Sequence, residues 1–182
     1  MVNFLDKEGR REAFLIAKKT LENYFSGDDY QPEIKNKKLL IKGPGVFVTL
    51  KKSGSLRGCI GVFQSDEFLY QTIKKMSLEA AFGDPRFYPL KKEELPEIEV
   101  EISILTPPKK INDWKKIRLG VDGVIVESGF RRGVFLPQVA KETGWNLEKF
   151  LRVLCQEKAG LPADCYKQRE VNLYIFQVQE VK

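Results

Sequence analysis

The segment "IEVEISIL", residues 98–105, alternates without a break: Ile98, Val100, Ile102 and Ile104 fall on one side, and Glu99, Glu101 and Ser103 on the other. Successive side chains of a strand point to opposite faces, so this pattern predicts a strand with one buried and one wet face. Two further β-rich runs, "GVFVTLKK" (45–52) and "LRGCIGVF" (56–63), flank "SGS" and predict a hairpin. Helical spacing appears elsewhere. Phe14, Ala17, Leu21 and Tyr24 recur three and four apart, predicting a helix from about Glu8 to Tyr24 that ends at Ser26-Gly27. A second helix, "DEFLYQTIKKMSLEAAF", buries Phe68, Leu69, Ile73, Met76 and Ala80 and stops where Asp84-Pro85 forces a turn.

The second half repeats this order. "DGVIVESG" and "RRGVFLP" predict two short strands joined at Ser128-Gly129, helical segments follow at "PQVAKETG" and "NLEKFLRVLCQEKAG", and "NLYIFQVQ" predicts a last strand. The expected fold class is α+β: one domain over residues 1–182, with an N-terminal helix and linker (1–44) and two strand-strand-helix-strand halves (45–105 and 122–179). The alternation favours mainly antiparallel sheet, with helices packed outside and a cleft between lobes.

Composition narrows the chemistry. With 42% hydrophobic and 31% charged residues, the 182-residue chain has an ordinary folded composition. No apolar run approaches the ~20 residues of a membrane span, so no membrane partner is expected. The stretch "MVNFLDKEGRRE" lacks the apolar core of a signal peptide. Three widely spaced cysteines suggest neither a disulfide framework nor a metal pair, and a reducing cytoplasm is the expected location. The net charge of +6 comes from lysines and arginines interleaved with acids, which disfavours a dedicated nucleic-acid binder. The count of zero histidines excludes Ser-His-Asp and Cys-His catalysis and histidine-ligated metals, so no metal or cofactor is expected.

Three short stretches carry the candidate chemistry. Along "LRGCIGVF", alternation places Leu56, Gly58, Ile60 and Val62 on a core face and Arg57, Cys59, Gly61 and Phe63 on the other. A guanidinium beside a thiol favours the thiolate, so Cys59 is a candidate reactive or ligand-binding thiol next to Arg57. A strand cysteine is more commonly a small packing residue. In "GDPRF", Arg86 either pairs with Asp84, the favoured reading, or joins Arg57 around a carboxylate or phosphate. In "LPQVAKETGW", Gln138 and Glu142 stand four apart on one helix face with Trp145 a turn on. Glu142 is the candidate general base, whereas Trp145 alone is better explained as packing.

The ordered set "LRGCIG", "AAFGDPRFYPL", "EVEISILTPPKKI" and "GVFLPQVAKETGWNLEKFL" resembles the AMMECR family, from Val46 to about Gly160. The resemblance implies an α+β fold with two unequal lobes and a cleft bordered by these motifs. It also implies radical-SAM and Memo-type partner proteins. The first expectation is thus a protein handling a small anionic substrate or ligand in a cleft lined by the "LRGCIG" strand. Cys59 and Glu142 would be the reacting groups, with Arg57, Gly58, Gly61, Arg86, Gln138 and Trp145 around the ligand. The alternatives are a non-catalytic module binding a small molecule or partner protein and, further behind, a nucleic-acid-associated regulator.

Overall fold

The computed structural model describes residues 4–182. It begins with α1 (Lys7–Ser26), whose first turn is capped by the Asp6 carboxylate, accepting the Gly9 N–H at 2.8 Å. Gly27, at φ 78°, closes the helix in the left-handed conformation glycine tolerates. The strands β1 (Gly45–Lys52) and β2 (Ser55–Val62) form the expected hairpin, turning at Ser53 (φ 51°) and Gly54 (φ 74°). Next come α2 (Leu69–Leu78), β3 (Ile98–Leu105), β4 (Lys109–Ile111), β5 (Gly123–Ser128) and β6 (Arg131–Phe135). The helices α3 (Pro137–Thr143) and α4 (Leu147–Val153) and the strands β7 (Asn172–Phe176) and β8 (Val178–Val181) complete the chain.

The fold class is the expected α+β, with two four-stranded sheets ordered β2-β1-β3-β8 and β4-β7-β5-β6. The pairs β1–β2, β1–β3, β4–β7, β5–β6 and β5–β7 are all antiparallel. Strand-strand-helix-strand does occur twice, but each sheet takes its fourth strand from the other half of the sequence. β4, which follows β3, pairs with β7, and β8, which follows β7, joins β3. Two compact units result: residues 4–107 with Gln179–Lys182, and Pro108–Val178.

Each unit has its own core. In the first, Ala13, Ile16 and Leu21 of α1 and Leu69 and Ile73 of α2 bury against Val46, Val48, Ile102 and Ile104 of the sheet. In the second, Phe150, Leu151 and Leu154 pack on Val124, Val126, Phe135 and Leu173. Both units end a helix in a π turn, Glu79–Gly83 after α2 and Leu154–Lys158 after α4. Each turn lies against a glycine of the hairpin's second strand. A methyl group at Gly58 would overlap the Ala80 carbonyl, and one at Gly133 would crowd the Leu154 carbonyl and the Ala159 amide. Glycine is required at both because the backbone of the π turn fills the space a side chain would take.

The cysteine expectation is corrected. Cys155 and Cys165, both fully buried, are joined in a disulfide with their Cα atoms 6.2 Å apart. The π turn carries Cys155 and the short 3₁₀ turn Cys165–Lys167 carries its partner, so fold geometry rather than any sequence motif pairs them. The cysteine count therefore no longer argues for a reducing compartment. Among the described residues no helix is long and apolar enough to cross a membrane.

Candidate functional site

β2 is an edge strand, and its pairing with β1 is irregular. Leu50 faces Gly58 and Lys51 faces Leu56, so Arg57 has no cross-strand partner in this register. A bulge of this kind resets the alternation and re-aims a side chain. Two consequences differ from the pattern read from sequence. Leu56, expected on the core face with Gly58, is 44% exposed. Arg57 turns onto the segment after α2, where its Nε donates to Glu94 Oε1 at 3.1 Å and its Nη2 to Oε2 at 2.9 Å. Nη2 also reaches the Pro89 carbonyl at 3.4 Å.

Glu94 receives more than Arg57. The Lys91 N–H donates to it at 3.0 Å and the Lys52 ammonium at 3.4 Å. The Arg57 hydrogen bonds are the main reason its pKa falls to about 2; burial opposes the shift, and the Lys91 N–H reinforces it. Arg57 is therefore committed to a partner 37 positions away, with its side chain only 15% exposed. Cys59, the neighbour assigned to it from sequence, is bonded through its backbone carbonyl to a different cation.

That cation is Arg86. Its guanidinium forks onto Asp84, Nε to Oδ1 at 2.9 Å and Nη2 to Oδ2 at 2.7 Å, and Nη2 also donates to the Cys59 carbonyl at 3.2 Å. Asp84 accepts two more bonds, the Arg86 N–H on Oδ1 at 3.1 Å and the Cys59 N–H on Oδ2 at 2.8 Å. Four donors thus fill the four lone-pair sites of a carboxylate that is buried in the fold. The Arg86 hydrogen bonds, against the opposing effect of burial, hold Asp84 far below the usual carboxylate range. The favoured reading of "GDPRF" as a paired turn is what the structure contains.

The thiol itself is half-buried. Thr49, directly opposite on β1, places Oγ1 3.2 Å from Cys59 Sγ. Gly61 stands opposite Phe47, and its lack of a side chain leaves room for the Phe47 ring, which meets Phe63 edge-to-face with centroids 5.0 Å apart. On the outside, the Arg86 side chain is 54% exposed and lies 5.6 Å from the Phe87 ring centroid. Tyr88 is 88% exposed. The face thus joins an interior of mutually paired charges to an exterior of one fixed guanidinium and the Phe87 ring.

The third candidate stretch lies in the other unit. Pro137 opens α3 and Gly144, at φ 63°, ends it. Glu142 is exposed, Gln138 is half-buried, and Trp145 packs on the second unit's core with the Lys149 ammonium 5.3 Å from its ring. The packing role preferred for Trp145 matches that placement. Asp122 in this unit repeats the buried-carboxylate arrangement: Arg118 donates through N, Nε and Nη2 at 2.9, 3.0 and 2.8 Å, and Gln177 adds a bond at 3.0 Å. Among the described residues no group of three or more His, Cys, Asp or Glu side chains is placed to hold a metal.

Sequence reasoning missed Glu94, because nothing local in "KKEELPE" marks one glutamate as the partner of a distant arginine. It missed Thr49 as the neighbour of the thiol, although the hairpin register read from "SGS" points straight to it.

Comparison with known proteins agrees with this architecture. A Methanothermobacter thermautotrophicus protein is 43% identical over 96% of this chain and 94% of its own length. Protein NEQ441 of Nanoarchaeum equitans is 40% identical over 90% of this chain and 94% of its own. The crystal structure of uncharacterized protein PH0010 from Pyrococcus horikoshii superposes with a TM-score of 0.78 at 37% identity, covering 97% of this chain and 91% of that one. Residues 14–181 match the AMMECR1 sequence profile, and the chain belongs to the AMMECR1 family.

Proposed function

We propose that this protein is a binding module that seats the anionic end of a small molecule on Arg86, at the outer side of the "LRGCIG" strand. The observation that carries the proposal is the state of that guanidinium: oriented by two bonds to a buried carboxylate, yet half exposed beside the ring of Phe87. A guanidinium fixed in advance loses little freedom when it pairs with a carboxylate or phosphate, and the Phe87 ring suits the apolar remainder of such a ligand.

Binding is favoured over catalysis by what surrounds Cys59. The group bonded to its sulfur is a threonine hydroxyl, a poor proton acceptor, and the carboxylate on the same face has four donors already. General-base activation of the thiol finds no support in that arrangement. The radical-SAM and Memo-type partners implied by the resemblance enter this proposal only as proteins that supply or receive the ligand.

Calorimetric titration of the whole chain with small carboxylates and phosphate monoesters tests the reading. Arg86→Lys keeps the charge and loses the fork, and should weaken binding about tenfold. Unchanged affinity in that variant would remove Arg86 from the site.

A further inference from the structure

The second unit holds a cavity of about 340 Å³ that none of the candidate site residues described above lines. Lys110 and Ile111 of β4, Trp114, and the stretch from Tyr166 to Arg169 that leads into β7 form most of its wall. Three of the eleven lining residues are cationic (Lys110, Lys167 and Arg169), three are carboxamides (Asn112, Gln168 and Asn172), and none is acidic. In a chain where lysine and glutamate otherwise alternate, this one-signed lining is unusual. A cavity near 300 Å³ with a few convergent polar groups is large enough for a small organic ligand.

Two features show that the wall is built. Trp114 and Tyr166 meet edge-to-face with centroids 5.2 Å apart, giving an aromatic corner. Tyr166 follows Cys165 directly, so the disulfide to Cys155 fixes the backbone that presents it. The tyrosine is 3% exposed, and its buried hydroxyl has no acceptor for its proton. A buried hydroxyl without an acceptor destabilises the fold, and a ligand acceptor could supply the missing partner. The Lys167 ammonium lies 5.3 Å from the Tyr166 ring centroid. The pKa of Lys167 is raised, first by hydrogen bonding to the Tyr166 oxygen and then by the charges of Asp164 and Glu148. Asp164, 3.6 Å away, offsets part of its charge, leaving Lys110 and Arg169 as the main attraction.

We infer that the cavity walled by Lys110, Trp114, Tyr166, Lys167 and Arg169 is a second binding site, taking a small planar molecule that carries a phosphate or carboxylate. The ring of the ligand stacks in the Trp114–Tyr166 corner, and its anion is held by Lys110 and Arg169. The site lies wholly within residues 108–178 and does not depend on Arg86.

The chain has two tryptophans, so its indole N–H resonances form a two-signal reporter that a Trp145→Phe variant assigns. Adenosine monophosphate, benzoate and adenosine are titrated into the ¹⁵N-labelled whole chain to millimolar concentration. The expected result is a saturable shift of the Trp114 signal with adenosine monophosphate, benzoate or both, and none with adenosine. Response to the phosphate alone or to the carboxylate alone identifies the anion. A double variant, Lys110→Ala with Arg169→Ala, changes exposed side chains and should fold normally. It should weaken the response about tenfold or more. No saturable shift, equal binding of adenosine, or unchanged affinity in the double variant would each overturn the inference.

Discussion

The backbone N–H of Cys59 donates to Oδ2 of Asp84 at 2.8 Å, tying the edge strand to the turn 25 positions later. Through this bond the "LRGCIG" and "GDPRF" motifs become one structural object. The same carboxylate orients Arg86, so the residue that locks the fold also aims the group presented to solvent. Removing the carboxylate should therefore affect both. Asp84→Ala is expected to lower the unfolding free energy by about 3 kcal/mol, because a buried, fully bonded acceptor is lost. Asp84→Asn should cost less, since an amide oxygen can still accept from Cys59. Urea unfolding at neutral pH reads both values, and an unchanged midpoint in Asp84→Ala would contradict the lock.

Acid should weaken the first unit in a defined window. Asp84 and Glu94 have pKa values depressed in the folded state by Arg86 and Arg57 respectively. Below their unfolded values of 3.8 and 4.5 the unfolded chain binds more protons than the folded one. Stability therefore falls as pH falls. The contribution is complete above about pH 5 and is lost toward about 2 for Glu94 and lower still for Asp84. Melting temperature measured from neutral pH downward should decline in this range. Glu94→Gln should make that decline shallower while costing about 1–2 kcal/mol at neutral pH, a screened value for a partly exposed pair. A variant with the wild-type acid profile would argue against the Arg57–Glu94 pair.

Gly58→Ala and Gly133→Ala should destabilise by about 1–3 kcal/mol each through overpacking against a π turn. For a chain of this size each kcal/mol corresponds to roughly 2–4 °C in melting temperature. The two sites are in separate units, and the Ala80 carbonyl oxygen would meet a methyl at Gly58 more closely than any atom would at Gly133, so the larger loss is expected at Gly58. Full stability in either alanine variant would show that its π turn yields easily.

The disulfide gives a direct count. Of three cysteines, two are bridged, so native protein purified without reductant should present one free thiol, Cys59. Unfolding with reductant should raise the count to three. The closed loop spans a separation of 10 residues, and opening it should cost about 3 kcal/mol by the loop-entropy relation. Three thiols in the non-reduced, denatured protein would mean that the bond does not form.

The reach of the sequence follows the range of each interaction. The strand at Ile98–Leu105 and the hairpin were legible because alternation and turn residues are local signals. The first helix was legible for the same reason, running from Lys7 to Ser26 and so slightly beyond the expected Glu8 to Tyr24 at both ends. The bulge at Arg57 was not, because one unpaired residue shifts the phase of a strand without altering its composition. Nor was the exchange of β4 and β8, three- and four-residue edge strands whose partners are chosen by sheet geometry. At the site, Asp84 with Arg86 could be read from neighbouring letters. Glu94 and the Cys155–Cys165 bridge depend on long-range packing and could not.

The central claim is that Arg86, held by Asp84, forms an anion site on the face of the "LRGCIG" strand. The most direct measurement is a ¹⁵N chemical-shift titration with inorganic phosphate, following the amides of Cys59, Phe87 and Tyr88 in wild type and Arg86→Lys. The account predicts saturable shifts at these three amides that weaken as salt rises and shrink in the variant, while the Gly133 amide keeps its native position. Shifts absent from the Cys59 face, or identical in Arg86→Lys, would contradict it.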